Sequence, residues 1–282
     1  MRSSLINKHH DPMSGALCLI LGLLLAMPGA AVAAAFDVSI TPPRFEKRTK
    51  PGKIMRDRVR ITNLDRDTGY YVFKTADWNL ATDKGLTFNE GAPSEGSCRP
   101  WVRIERRKLT VPAGATKSYR FEVHVPPDTP VGECRFALLV SQDPSKVAPV
   151  IMGQLSLPVV GRIAVIVYLA IGNARPKLAF RGLQLQERDG KKIPVIILEN
   201  LGNAHGRPFG GVTAIDVQKR KRELLVSEVP ILVGQTRAIE LYPVEWSAKG
   251  AAQTGFDLTP PLHIRGTIQW DGGSVKLDEV LR

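Results

Sequence analysis

The side chains best placed to do chemistry in this 282-residue sequence are Cys98 and Cys134, at either end of a stretch that reads GSCRPWVRIERRKLTVPAGATKSYRFEVHVPPDTPVGECRFALLV. A pair of thiols can exchange electrons, ligate a metal or form a structural crosslink. Redox exchange uses closely spaced pairs of the C-x-x-C kind, and none is present. Zinc asks for more ligands than two cysteines supply, and the other candidates, His124, His205 and His263, are scattered along the chain. In an exported chain an even number of cysteines reads as a disulfide between Cys98 and Cys134, with two buried free thiols as the alternative. Closing that loop would stabilise the fold by about 3–4 kcal/mol.

Other chemistry finds little support. The sequence has no G-x-S-x-G, no H-E-x-x-H and no convincing pair of carboxylates. The loop GNAHGRPFGG from Gly202 lacks the strand–loop–helix context of a phosphate cradle and reads as a turn. These absences predict a non-enzyme without a metal or cofactor. Trp101, beside Cys98, reads as packing on the crosslink. Trp78, Trp246 and Trp270 read as core or edge packing in or beside strands.

The first 35 residues set the compartment. Arg2 and Lys8 precede the apolar run ALCLILGLLLAMPGAAVAAA, which closes on small residues, with Ala31, Ala33 and Ala35 in an A-x-A-like pattern. That is the anatomy of a secretory signal peptide. The apolar core from Ala16 to Met27 is short for a membrane span, and Pro28 and Gly29 interrupt it. Cys18 lies near the start of the apolar core instead of ending it, which argues against a lipoprotein cysteine. The expectation is an exported, periplasmic protein with no stable membrane anchor. Removing residues 1–35 takes away Arg2, Lys8 and Asp11, so the formal charge falls from +12 to +11. A basic excess invites a nucleic-acid reading. Export argues against it, and the basic residues are spread among strands without an aromatic-rich motif. The densest run, Lys219-Arg220-Lys221-Arg222, reads as a solvated hairpin tip.

Elements follow from alternation. In KSYRFEVHV, Tyr119, Phe121, Val123 and Val125 share one face, with Arg120, Glu122 and His124 on the other. FDVSITPPRF alternates and stops at a double proline, as an edge strand does. DRVRITNL, GYYVFKTADWNL, WVRIERRKLTV and CRFALLVS continue the series between Pro, Gly and Asp turns. A second series begins after GNARPK with LAFRGLQLQE and KIPVIILENLG, and the two halves echo each other in the order of strand and turn. The pattern predicts an all-β chain of two immunoglobulin-like β-sandwiches in tandem after a cleaved signal peptide. The expected divisions are residues 1–35 for the leader and 36–172 for a first domain ending in a long loop and a last strand. Residues 173–282 form a second sandwich.

This order of parts resembles periplasmic chaperones of the pilus-assembly kind. The resemblance spans essentially the whole exported chain and is carried by VSITPPRFE, RITNLD and WVRIERRKLTVPAGATKSYRFEV, then by the long connection from CRFALLVS into LSLPVVGRIAVIVYLAIG. It implies two immunoglobulin-like domains set in a boomerang. It also implies that pilus or surface-fibre subunits are partners, with an outer-membrane usher as a further candidate. Such a chaperone lends an extended strand to a subunit that lacks one. On that model the lending face is Leu155, Leu157 and Val159, with Ile163 and Val165 continuing the parity. A core strand closing the first domain would alternate in the same way, and Pro158 would interrupt a continuous ladder. The resemblance further implies a basic pair that holds the subunit's terminal carboxylate. Arg44 stands where the first should be. The second should be a lysine, but the sequence reads RIAVIVY there, and Arg162 is the nearest cation. The alternative is an exported structural or adhesion module of the cell envelope, built from the same sandwiches but with no client cycle.

Overall fold

The computed structural model describes residues 36–282 except 82–84, 148, 153–154, 158, 189 and 249. The expected signal peptide, residues 1–35, therefore lies outside the described residues. The described residues form a succession of strands with two short 3-10 turns, and they build two units with separate cores.

In the first unit the strands are β1 (Val38–Thr41), β2 (Arg44–Thr49), β3 (Ile54–Asn63), β4 (Gly69–Ala81), β5 (Gly85–Asn89) and β6 (Val102–Ile104). They continue with β7 (Lys108–Val111), β8 (Thr116–His124), β9 (Gly132–Gln142), β10 (Val150–Met152), β11 (Leu155–Leu157) and β12 (Arg162–Ile171). One sheet runs β1-β3-β8-β6 and the facing sheet runs β2-β12-β9-β4-β5, with β7 also on β4. The double proline Pro42-Pro43 marks where the chain leaves β1 in one sheet and enters β2 in the other. Proline lacks the N–H that a continuous ladder needs, so the chain changes sheet there.

The inward side chains of the two sheets meet in one core. Phe73 stacks on Tyr119 with ring centroids 3.7 Å apart. Phe121 meets Phe45 and Phe136 edge-on at 5.3 and 5.9 Å. The disulfide joins Cys98 to Cys134 inside this core, with Trp101 packed at its margin. The sequence FALLV of β9 is buried on both faces, from Phe136 to Val140. Phe136, Leu138 and Val140 enter the core, while Ala137 and Leu139 meet Trp78, Tyr168 and Leu232 of the second unit. Burial on both faces turns an alternating pattern into a continuous apolar run.

The second unit holds β13 (Leu178–Arg188), β14 (Lys191–Asn200), β15 (Phe209–Ile215), β16 (Lys221–Val226), β17 (Thr236–Ser247), β18 (Gly250–Gln253), β19 (Leu262–Trp270) and β20 (Gly273–Leu281). The sheet order is β13-β14-β17-β16-β15-β19-β20, with β18 on β17. β17 belongs to both halves of this curled sheet: Thr236–Glu240 pairs with β14 and Leu241–Val244 pairs with β16. Its core gathers Ile196, Leu198, Leu224, Leu241, Ile264 and Ile268. The last residue of the first core is Ile171 and the first of the second is Leu178.

Candidate functional site

β12 is the strand on which the functional question turns. It pairs antiparallel with β9 over its whole length, from Arg162 opposite Ser141 to Ile171 opposite Gly132. On its other side β2 runs parallel to it, but only from Ile166 to Ile171. Among the described residues, no strand pairs with the second edge of Arg162–Val165. A strand edge of this kind carries unpaired backbone donors and acceptors and is a template for another strand.

The residues expected on a lending face are divided. Leu155 and Leu157 lie in β11, which forms a small antiparallel pair with β10, Met152 opposite Leu155 and Val150 opposite Leu157. Val159 follows in irregular chain and is 64% exposed. Ile163 is half-buried at the open end of β12, and Val165 is fully buried in the first core. The residues read as a lending face thus fall on two strands, β11 and β12, and on the chain between them. Pro158 lies outside the described residues, and the described residues 159–161 belong to no strand.

The two expected anchors occupy adjacent strands but separate carboxylates. Arg44 Nε bonds Glu46 Oε1 at 2.8 Å, and Arg162 Nη1 bonds Glu90 Oε1 at 2.8 Å. Arg44 stands opposite Ile166, four residues beyond Arg162, a backbone offset of about 13 Å along the strand. Glu90 also accepts Lys74 at 2.9 Å, and the Lys74 and Arg162 cations hold its carboxyl below the ordinary carboxylate value.

Sequence reasoning missed a polar cluster in the cleft between the units, a cavity of about 360 Å³. The His205 Nδ1 sits 2.5 Å from Glu133 Oε2, which also accepts the His205 backbone N–H at 3.1 Å. The imidazole stacks on Tyr168 at 3.8 Å between centroids, and its Nε2 is 3.7 Å from Glu46 Oε1. Arg207 reaches the same Glu46 oxygen at 3.2 Å. Arg48 donates to the Ala174 carbonyl at 2.7 Å and pairs with Asp271. His205 lay in a glycine-rich loop, and Tyr168 in an apolar run. Nothing in local spacing links either of them to Glu46 or Glu133.

This cluster makes contact between the units depend on pH. Burial alone would depress the His205 imidazolium, but the hydrogen bond to Glu133 and the nearby Glu46 carboxylate outweigh it and raise its pKa above 6.5. Interaction with His205 takes Glu46 down from 4.5 to about 2, against the opposing effect of burial. A depressed carboxylate stabilises above its unfolded value and loses that contribution as pH falls through its folded value. A raised histidine stabilises fully below its unfolded value and loses it as pH rises through the folded one. Contact between the units should therefore be tightest between pH 4.5 and 6.5 and should loosen on either side. Hydrogen exchange at Tyr168 and Ala204 followed against pH checks this. Glu133→Gln should cost about 1.5–3 kcal/mol and flatten the alkaline arm, whereas an unchanged pH profile would remove His205 as the cause.

Comparison with known proteins finds no matching family model and no matching curated protein. Among solved structures the chain is similar to the class 5 fimbriae chaperone CfaA, at 15% identity and a TM-score of 0.44, covering 77% of this chain and 98% of that one. It is similar to the YadV chaperone at 10% identity and a TM-score of 0.45, covering 87% and 100%. The Escherichia coli chaperone DraB gives 9% identity and a TM-score of 0.44, covering 88% and 97%.

Proposed function

We propose that this protein is an exported, non-enzymatic chaperone for pilus or surface-fibre subunits, and that it binds them in the periplasm by strand addition. The observation that carries the reading is the open edge of Arg162–Val165, where β12 leaves β2 behind and keeps only β9. Immediately upstream, β11 is held by β10 through a pairing of three residues. An incoming subunit strand would take the place of β10 on β11 and continue along the open edge of β12. Main-chain hydrogen bonds would supply affinity, and Leu155, Leu157, Val159 and Ile163 would set register in the subunit's groove. Val165 would anchor the lending strand in the chaperone's own core. Arg44 and Arg162 would take the subunit's terminal carboxylate after Glu46 and Glu90 release them, each exchanging one exposed carboxylate for another.

The test is capture of co-expressed subunits from periplasmic extract, with bound proteins identified by mass spectrometry. The variant Leu155→Asp, Leu157→Asp and Val159→Asp is expected to lose capture while keeping its thermal midpoint. Arg44→Ala with Arg162→Ala should weaken capture at unchanged stability. Unfolding of the triple variant would mark residues 155–159 as part of a closed fold and favour an envelope scaffold. Capture that survives both sets would retire strand addition at this edge.

A further inference from the structure

The outer face of the β1-β3-β8-β6 sheet collects five arginines, three of which make no ion pair among the described residues. β3 alternates so that Met55, Val59 and Ile61 enter the core while Arg56, Arg58 and Arg60 face solvent. Cross-strand register sets Arg58 directly opposite Arg120 of β8, and Arg60 opposite Ser118. Arg56 lies opposite Glu122, whose other neighbour is Arg103 of β6. Only two carboxylates share the face with these five arginines. Glu122 takes Arg56 at 2.8 Å and His124 at 2.7 Å. Glu105 takes Arg106 and, at 3.5 Å, Arg120. Among the described residues, Arg58, Arg60 and Arg103 make no ion pair; Arg103 bonds only the Pro100 and Val102 carbonyls.

Like charges directly opposite one another destabilise a sheet, so the Arg58–Arg120 pair is a cost without a structural return. The other basic run behaves differently. At the hairpin tip Arg220 is bound to the buried Asp216 at 2.7 Å and Arg222 to Asp257 at 2.8 Å. The two arginines of that run are engaged by its own structure, whereas Arg58, Arg60 and Arg103 on the sheet make no ion pair among the described residues.

The chemistry of the face narrows the partner. Every cation in the array is arginine, whose planar fork takes phosphate oxygens in pairs and sheds water more readily than an ammonium. The remaining outward positions on β1, β3 and β8 include Thr41, Thr62, Thr116 and Ser118, short side chains that leave the guanidinium groups unobstructed. Neighbours along a strand stand about 7 Å apart and strands about 4.8 Å apart, a two-dimensional grid. A sheet face, unlike an edge, offers no free ladder for a peptide strand. A grid of phosphate-binding forks on an open face is complementary to a plane of phosphates.

We propose that this face docks the protein peripherally on an anionic phospholipid bilayer. The test is co-sedimentation of the protein with phosphatidylglycerol-rich vesicles against pure phosphatidylcholine vesicles. Binding is expected to the first only, and to disappear near 1 M salt, where the Debye length is about 3 Å. Each basic residue near an anionic surface is worth a factor of about five, so Arg58→Gln, Arg60→Gln and Arg120→Gln together should weaken binding about a hundredfold. The same variant should melt within a few degrees of the parent, because relief of the Arg58–Arg120 contact offsets loss of the exposed Arg120–Glu105 pair. Lys219→Gln, Lys221→Gln and Lys276→Gln remove equal charge elsewhere and should cost less than about fivefold. Equal losses in the two triple variants, or no binding to anionic vesicles at low salt, would overturn the proposal. Retention on immobilised polyglutamate, lost in the sheet variant, without vesicle binding would replace the bilayer with an acidic protein.

Discussion

Replacing Cys98 and Cys134 with serine is expected to destabilise the first unit by about 3–4 kcal/mol. The bond closes a segment with a sequence separation of 36 residues, and an open chain of that length gains most of this energy as entropy when the link is removed. Within it β6, β7 and β8 are paired in the two sheets, so the bond matters most at its N-terminal end. The connection from β5 to β6 is fixed to β9 through the disulfide and two backbone hydrogen bonds, Cys98 N–H to the Arg135 carbonyl and Arg135 N–H to Gly96. Asp77 assists by accepting from Ser94, Ser97 and Arg99. Both sulfurs lie in the hydrophobic core, so the serine hydroxyls would also enter an apolar site. For a unit of this size the change corresponds to a fall in Tm of roughly 10–20 °C. Calorimetry with and without reductant reads it directly. The second unit has no cysteine, and its transition should stay in place. A fall of less than a few degrees would mean that the Asp77 hydrogen bonds constrain the segment well enough alone.

How far the sequence could be read depended on which faces were wet. In β8, Tyr119, Phe121 and Val123 are buried while Ser118, Arg120 and His124 are exposed, so alternation reported the structure directly. The same rule read β3 correctly and already implied that Arg56, Arg58 and Arg60 share a side. The sequence showed them only as charge scattered among strands, because register with β6 and β8 is what assembles the patch. Alternation failed where both faces are dry. In β12, Val165 and Val167 enter one core while Ala164, Ile166 and Tyr168 face Trp78 and Leu232, and parity cannot say which set is available to a partner. Tryptophans divided in the same way. Trp78 is buried, with its Nε1 donating to the Phe136 carbonyl at 3.2 Å, whereas Trp246 is 63% exposed and bonded to Glu223. The cleft around His205 could not be read at all. Its residues come from β2, β9, β12 and the loop after β14, and only the packing of two units brings them together.

Val165→Asp should unfold the first unit, whereas Ile163→Asp should leave it folded. The two residues are one alternation apart on β12, and sequence parity assigns them the same role. Their surroundings differ. Val165 has no exposed surface and is a member of the first core. Aspartate there would forfeit about 1.5–3 kcal/mol of apolar burial and add the cost of an unpaired carboxylate, several kcal/mol more. That sum is comparable with the whole stability of an ordinary domain. Ile163 is half-buried at the end of the strand where β2 no longer covers the edge, so its replacement should cost about 1 kcal/mol. Urea midpoints of the two variants read the difference. Under the proposed function, Ile163→Asp should in addition lose subunit capture, since a charge would enter the subunit's apolar groove while the chaperone's own core stayed intact. A folded Val165→Asp would mean that residue 165 leaves the core without penalty and that the exchangeable strand extends past the point where β2 begins. Loss of fold in both would place the boundary upstream of Arg162 and confine any lending to β11.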